Sequence, residues 1–281
     1  MTYLDVDTEN NYYYSEVKGR ELYFVNEGLK VPKYGQVELV EAETSFTAYQ
    51  EFQSMLTRDR IDIFMVGEFD DYQVLQALHR FPLEGRQIDL QFSYSQPYVN
   101  VVKEKIEPRQ SSQSILQLGY QFPCQYGDKD YFALIVFNAM FGEFAHSALF
   151  TTLREKEGLA YSISSQFDIF TGLLEVYAGI EKSNRNQAMR GISRELNYIK
   201  LGRFSSSLLN QTKKIIRMNA LLSEDHALTL VEQRFNKVIF GDKSLSLENW
   251  LDEIEKVTKK DVCRVARQVK LQSLFFLEGV S

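Results

Sequence analysis

The chain has 281 residues, 44% hydrophobic, 13% aromatic and 25% charged, a balance that suits one large or two ordinary globular cores and excludes collagen-like, coiled-coil and disordered chains. Its 38 acidic residues against 32 basic ones give a net charge of −6, which repels phosphate backbones and anionic lipid and argues against nucleic-acid or membrane-surface binding. Met1 to Asn11 is polar and acidic, without the pattern of a secretory leader, and the most apolar run, Tyr131 to Phe141, is about half the ~20 residues that cross a bilayer. Cys124 and Cys263 are far apart and in no metal or redox spacing, so a reduced, cytoplasmic protein is expected.

Along the chain, Glu9 to Phe24 has a helical pattern, and Ser45 to Leu56 places Tyr49, Phe52, Met55 and Leu56 at three- and four-residue steps, the stripe of a core-facing helix. Ile61 to Val66 is a short β-rich run closed by Gly67, and Asp70 opens a helix with Val74, Leu75 and Leu78 that stops near Pro82. Residues 86–112 hold Pro97, Pro108, many Gln and Ser residues and one alternating stretch from Tyr98 to Ile106, so a linker is expected there, between a unit at 1–85 and one at 113–281. Leu116, Leu118, Tyr120 and Phe122 then alternate as in a half-buried strand. Asp128 or Asp130 is placed to cap a helix from Tyr131 to Phe141, apolar nearly all round, and a second helix is expected from Ser147 to about Lys156.

Leu159 to Phe170 and Leu173 to Ile180 read as a hairpin turning at Thr171 and Gly172. Helices follow at Ala188 to Ile199, Leu208 to Leu222, Ala227 to Ile239 and Leu247 to Val257. The basic run Lys213, Lys214 and Arg217 is expected to be a solvated helix face. Thr258 and Asp261 form a capping pair before a last helix, and Leu274 to Leu277 is a final strand ending at Gly279.

The two ends resemble each other. A helix opened by Thr44 leads to a strand ending at Gly67, and a helix opened by Thr258 leads to one ending at Gly279. This points to two related units, the first truncated at its N-terminus and leaving apolar surface near Phe64 and Phe81 uncovered, with self-association as the consequence.

The run Leu153, Arg154, Glu155, Lys156, Glu157, Gly158, Leu159, Ala160, Tyr161, Ser162 resembles a recognisable segment of the C-terminal half of pitrilysin/insulinase-type zinc metallopeptidases. Phe137 to Gly142 and His146 to Phe150 resemble the same family's glycine-containing turn and following helix, and Ile63 to Glu68 its valine-rich strand. The likeness is greatest to the bacterial cytoplasmic branch whose members are non-catalytic companions of an active subunit. It implies an α+β, two-layer fold of two related units, each an antiparallel-rich sheet with helices on one face, enclosing a peptide chamber. It also implies that Arg154 and Tyr161 match residues that reach toward substrate, the guanidinium to hold a carbonyl or carboxylate and the phenol to donate to an oxyanion. Where the family commonly has a second glycine after Gly142, this chain has Glu143, which is less suited to a flexible substrate loop.

Active members of the family hold zinc with an inverted His-x-x-Glu-His motif and a further Glu. Here the histidines are His79, His146 and His226, and none has a second within a helical turn, so no zinc site is expected from this chain, and zinc would come from a partner or an upstream region. Glu143 and His146 are one helical turn apart and make at most half of a carboxylate-bridged site. The expected partners are a catalytic paralogue or a second copy, with a peptide as substrate. Two further readings stay open: a fragment of an active peptidase whose motif lies upstream of Met1, and a module that binds peptides by strand addition.

Overall fold

The computed structural model describes residues 9–81, 86, 88 and 94–280. Its centre is a five-stranded sheet in the order β1-β5-β2-β4-β3, built from Lys103–Gln110 (β1), Ser114–Gln121 (β2), Ala160–Asp168 (β3), Leu173–Ile180 (β4) and Lys270–Val280 (β5). β1 runs parallel to β5 and the other pairings are antiparallel. The mixed α/β, antiparallel-rich character agrees with the expectation from sequence.

Alternation along the strands gives the sheet two apolar faces. One face carries Leu116, Leu118, Tyr120, Leu174, Val176, Ala178, Leu274 and Phe276, all buried in the main core. Helices Tyr131–Asn138 (α6), Arg185–Lys200 (α7), Ser206–Leu222 (α8), Leu247–Lys256 (α10) and Lys259–Gln268 (α11) cover it. α11 follows the Thr258 cap, whose hydroxyl accepts from the Asp261 N–H while the Asp261 carboxylate accepts from the Thr258 N–H, satisfying two otherwise unpaired donors.

The other face carries Ile115, Phe275, Leu277, Leu173, Glu175 and Tyr177, and it is covered by helix α1, Asn11–Tyr23. The Asn10 side chain caps this helix by accepting from the N–H groups of Tyr12 and Tyr13. Tyr14 and Leu22 pack on Ile115, Phe275 and Leu277, and Tyr23 with Phe24 packs on Leu173. Each large side chain removed from water in this way stabilises by about 1.5–3 kcal/mol. Arg20 forks onto Glu175 at 3.0 and 2.7 Å. Helices therefore lie on both faces, not one, and β2 is buried on both sides where a half-buried strand is expected.

Three further expectations differ from what forms. The Ile61 to Val66 run pairs with no strand among the described residues. Residues 103–110, within the expected linker, form the edge strand β1. Lys213, expected on a solvated face, is buried and donates its ammonium to the Glu255 carbonyl at 2.7 Å, while Lys214 and Arg217 are exposed. Between α1 and β1 the described residues form four helices, Glu27–Lys30 (α2), Val37–Ala42 (α3), Ser45–Arg58 (α4) and Asp71–Leu78 (α5), and α2, α4 and α5 bury no residue. Helix α9, Ala227–Phe240, is likewise without a buried residue. Phe81 is exposed as expected, but Phe64 is half-buried, its ring edge-on to Phe235 at 6.2 Å. No helix among the described residues is long and apolar enough to cross a membrane.

Candidate functional site

The segment that carries the resemblance runs from the end of α6 to β3. α6 is apolar all round up to Asn138, where the helix widens into a π-type turn, Ala139–Glu143. Such turns are uncommon and cluster at functional sites. Asn138 is buried and satisfied on both sides, its Oδ1 accepting from Ser165 Oγ at 2.7 Å and its Nδ2 donating to Glu143 at 2.9 Å. Gly142 lies where a Cβ would stand 2.6 Å from Ser165 Oγ and 2.8 Å from its backbone nitrogen; the absence of a side chain is what lets the turn meet β3.

Glu143 and His146 do not act as a pair. Burial pushes the Glu143 carboxyl up against the Asn138 donation, which lowers it, whereas the His146 ring nitrogen lies 2.9 Å from Thr212 Oγ1 and burial lowers its pKa. His79 ends α5 and His226 precedes α9, so the three imidazoles sit on separate elements. Among the described residues, no group of three His, Cys, Asp or Glu side chains is placed to hold a metal ion. These donors do not fit the tetrahedral set that zinc requires.

A second π-type turn, Phe150–Lys156, buries Leu153 and presents Arg154 to solvent with its guanidinium 4.5 Å from the Phe150 ring. Gly158, at φ +60, reverses the chain, and the Leu159 N–H closes the turn onto the Leu153 carbonyl at 2.8 Å. β3 begins two residues later at the end of the sheet order, and its outer edge pairs with no strand among the described residues. The β3–β4 register slips between Ala160 and Ser162, leaving Tyr161 out of the ladder. A bulge of this kind re-aims a side chain, and Tyr161 is half exposed, its hydroxyl donating to the Glu181 carboxylate just past β4. That hydrogen bond, followed by slight desolvation and the carboxylate charge, raises the Tyr161 pKa. Next to it, Ser162 Oγ donates to the Tyr177 hydroxyl at 3.4 Å, and the Tyr177 ring meets Tyr12 of α1 edge-on at 4.7 Å.

Arg154 and Tyr161 are thus both exposed, one on each side of the Gly158 turn, without a hydrogen bond between them. Ser165 and Tyr177 carry no signal in the sequence. Glu181 is findable from the hairpin, because a turn at Thr171 and Gly172 sets the Tyr161 region against residues 179–181.

The sequence model of the Peptidase M16 inactive domain matches residues 49–216. The chain is 35% identical, over 87% of its length and 58% of the relative's, to a probable inactive metalloprotease, YmfF, of Bacillus subtilis. It is 24% identical, over 87% of its length, to an uncharacterized zinc protease, YmxG, of the same organism. It thus spans just under three-fifths of each of these curated relatives, 58% and 59%. A crystal structure of a conserved protein from Enterococcus faecalis superposes with a TM-score of 0.94 at 36% identity, over 99% of this chain and 66% of that one. A peptidase M16 inactive domain from Pseudomonas fluorescens superposes at 0.75 with 16% identity, over 100% of this chain and 68% of that one, a likeness of fold.

Proposed function

Because the chain belongs to the peptidase M16 family, the group its Arg154–Tyr161 segment resembles, we propose that it is a non-catalytic, chamber-forming part of a peptidase-like assembly that holds extended peptides without hydrolysing them. The observation that carries this is an exposed Arg154 in the turn before β3 and an exposed Tyr161 on β3, a strand whose outer edge pairs with no strand among the described residues, on a chain whose described histidines do not fit zinc. A planar guanidinium holds a carbonyl or terminal carboxylate through a fixed fork of donors. A free strand edge offers N–H and C=O groups to an extended chain. Without a metal to activate water, this chemistry binds and does not cut. The word "inactive" in the YmfF relative's name supports the same reading, and a zinc-bearing paralogue or a second copy is the partner it calls for. We place the protein in the cytoplasm, where Cys124 and Cys263, both buried and unpaired, stay reduced.

A second reading, a free-standing module that captures peptides by strand addition, is favoured by the open edge of β3. The test is a titration of the purified chain with an unstructured fluorescent peptide, followed by mass spectrometry of the peptide. Saturable binding of a peptide that stays intact is expected, weakened in Arg154→Ala. Chelator-sensitive cleavage by the chain alone would remove the proposal, and binding unaffected by Arg154→Ala would favour simple strand addition.

A further inference from the structure

We propose that Glu181 is a positioning residue that takes the single proton of the Tyr161 hydroxyl, so that Tyr161 meets a bound peptide as an acceptor for backbone N–H and not as a donor to a carbonyl oxygen. This rests on reading the β3 edge as the peptide-binding surface, and it specifies which backbone group is recognised there. A phenol has one proton and two lone pairs, and a carboxylate accepts without a proton to return. Tyr161 spends its proton on Glu181 Oε1, so what remains to face a ligand is its oxygen.

The hairpin fixes this arrangement. Ala160 pairs with Ile180, the register then slips, and the unpaired Tyr161 and Glu181, the residue after the last of β4, meet on one side. Neither side chain is buried, so no packing forces them together, and the geometry is that of the hydrogen bond itself. A tyrosine that stabilises an oxyanion must keep its proton available for the substrate oxygen. Here that proton is engaged before any ligand arrives, which suits an edge that holds peptide and has no part in its hydrolysis.

The test uses the full chain with tyrosine labelled at 13Cζ, the Tyr161 signal being assigned by its loss in Tyr161→Phe. In the wild type the Tyr161 signal is expected to titrate above the ordinary tyrosine value of about 10, and in Glu181→Gln to return to it. A glutamine in place of Glu181 brings an amide N–H that competes with the peptide N–H for the phenol oxygen, so Glu181→Gln and Tyr161→Phe should each weaken the affinity for an unstructured peptide by about two- to tenfold. The double variant should be no weaker than either single one, since both remove the same acceptor. A Tyr161 signal titrating at the ordinary value in a wild type that still binds peptide would overturn the inference and leave the proposed function standing. Additive losses in the double variant would also overturn it. A chain that binds no peptide, whatever the titration, would overturn the proposed function and the acceptor role together.

Discussion

Two ion pairs at the residue scale differ in what their loss should do. In the Arg20–Glu175 fork the carboxylate side chain is 9% exposed and the guanidinium 38% exposed, with Glu16 a further 3.2 Å from Arg20. Removing Arg20 leaves a mostly buried carboxylate with only the neutral Gln166 amide donating to it at 3.3 Å, whereas removing Glu175 leaves a guanidinium that still reaches Glu16 and water. Arg20→Ala is therefore expected to cost about 3 kcal/mol in urea unfolding and Glu175→Ala about 1 kcal/mol; equal costs would contradict the asymmetry. On the opposite side of the molecule, donation from Arg264, assisted by Gln268, holds the Asp130 carboxyl below its ordinary value. A carboxyl lowered by folding stabilises fully above the unfolded pKa, and that stability is lost as pH falls through the folded one. The stability gap between wild type and Arg264→Ala should thus be widest near neutrality and close as the pH drops below about 4. A gap that widened in acid would be the wrong sign. Of Asp128 and Asp130, either of them expected to cap α6, Asp130 takes the N-cap position but makes no side-chain cap and faces Arg264, and the Asp128 carboxylate accepts from the Gln125 N–H.

Two matching caps at the element scale have different consequences. Thr44 and Thr258 both close a capping box, but α11 buries Val262, Cys263, Val265 and Ala266 while α4 buries nothing. Thr258→Ala should lower global stability by about 1 kcal/mol. Thr44→Ala should leave the global midpoint unchanged and instead speed amide exchange within 45–58, because α4 can open by itself. The same contrast shows what the sequence reveals. α7, α8, α10, α11 and the β3–β4 hairpin are legible because apolar residues recur with the right period, and that period survives wherever one face is packed. β1, with Lys103, Glu104, Lys105, Glu107 and Arg109, keeps only Ile106 of the alternating stretch that begins at Tyr98 and so shows no apolar face of its own, since an edge strand is kept polar against unwanted pairing. Ile61 to Val66 has the residue types of a strand, but a strand needs a neighbour, and none lies among the described residues. The docking of α1 on the second face of the sheet, and the widening of two helices into π-type turns, depend on contacts far apart in sequence. Of the candidate site, the motif alone points to Arg154 and Tyr161, and the Glu181 partner depends on a one-residue slip in register.

The whole molecule has apolar exposure concentrated away from the sheet. Phe46, Tyr49, Phe52 and Met55 line α4, Tyr72 and Leu75 lie on α5, and Leu228 and Phe235 lie on α9, all exposed to water. Exposed apolar side chains in such numbers favour association. Light scattering is expected to show a mass that rises with concentration and falls back in a Tyr49→Ser, Phe52→Ser variant, and a strict monomer at high concentration would argue against a paired state. The placement of peptide along β3 is tested most directly by hydrogen exchange of the chain with and without an unstructured peptide. The account predicts slower exchange at backbone amides within 160–168, with the peptide recovered intact. Unchanged exchange along β3 with protection elsewhere, or a peptide recovered in pieces, would contradict it.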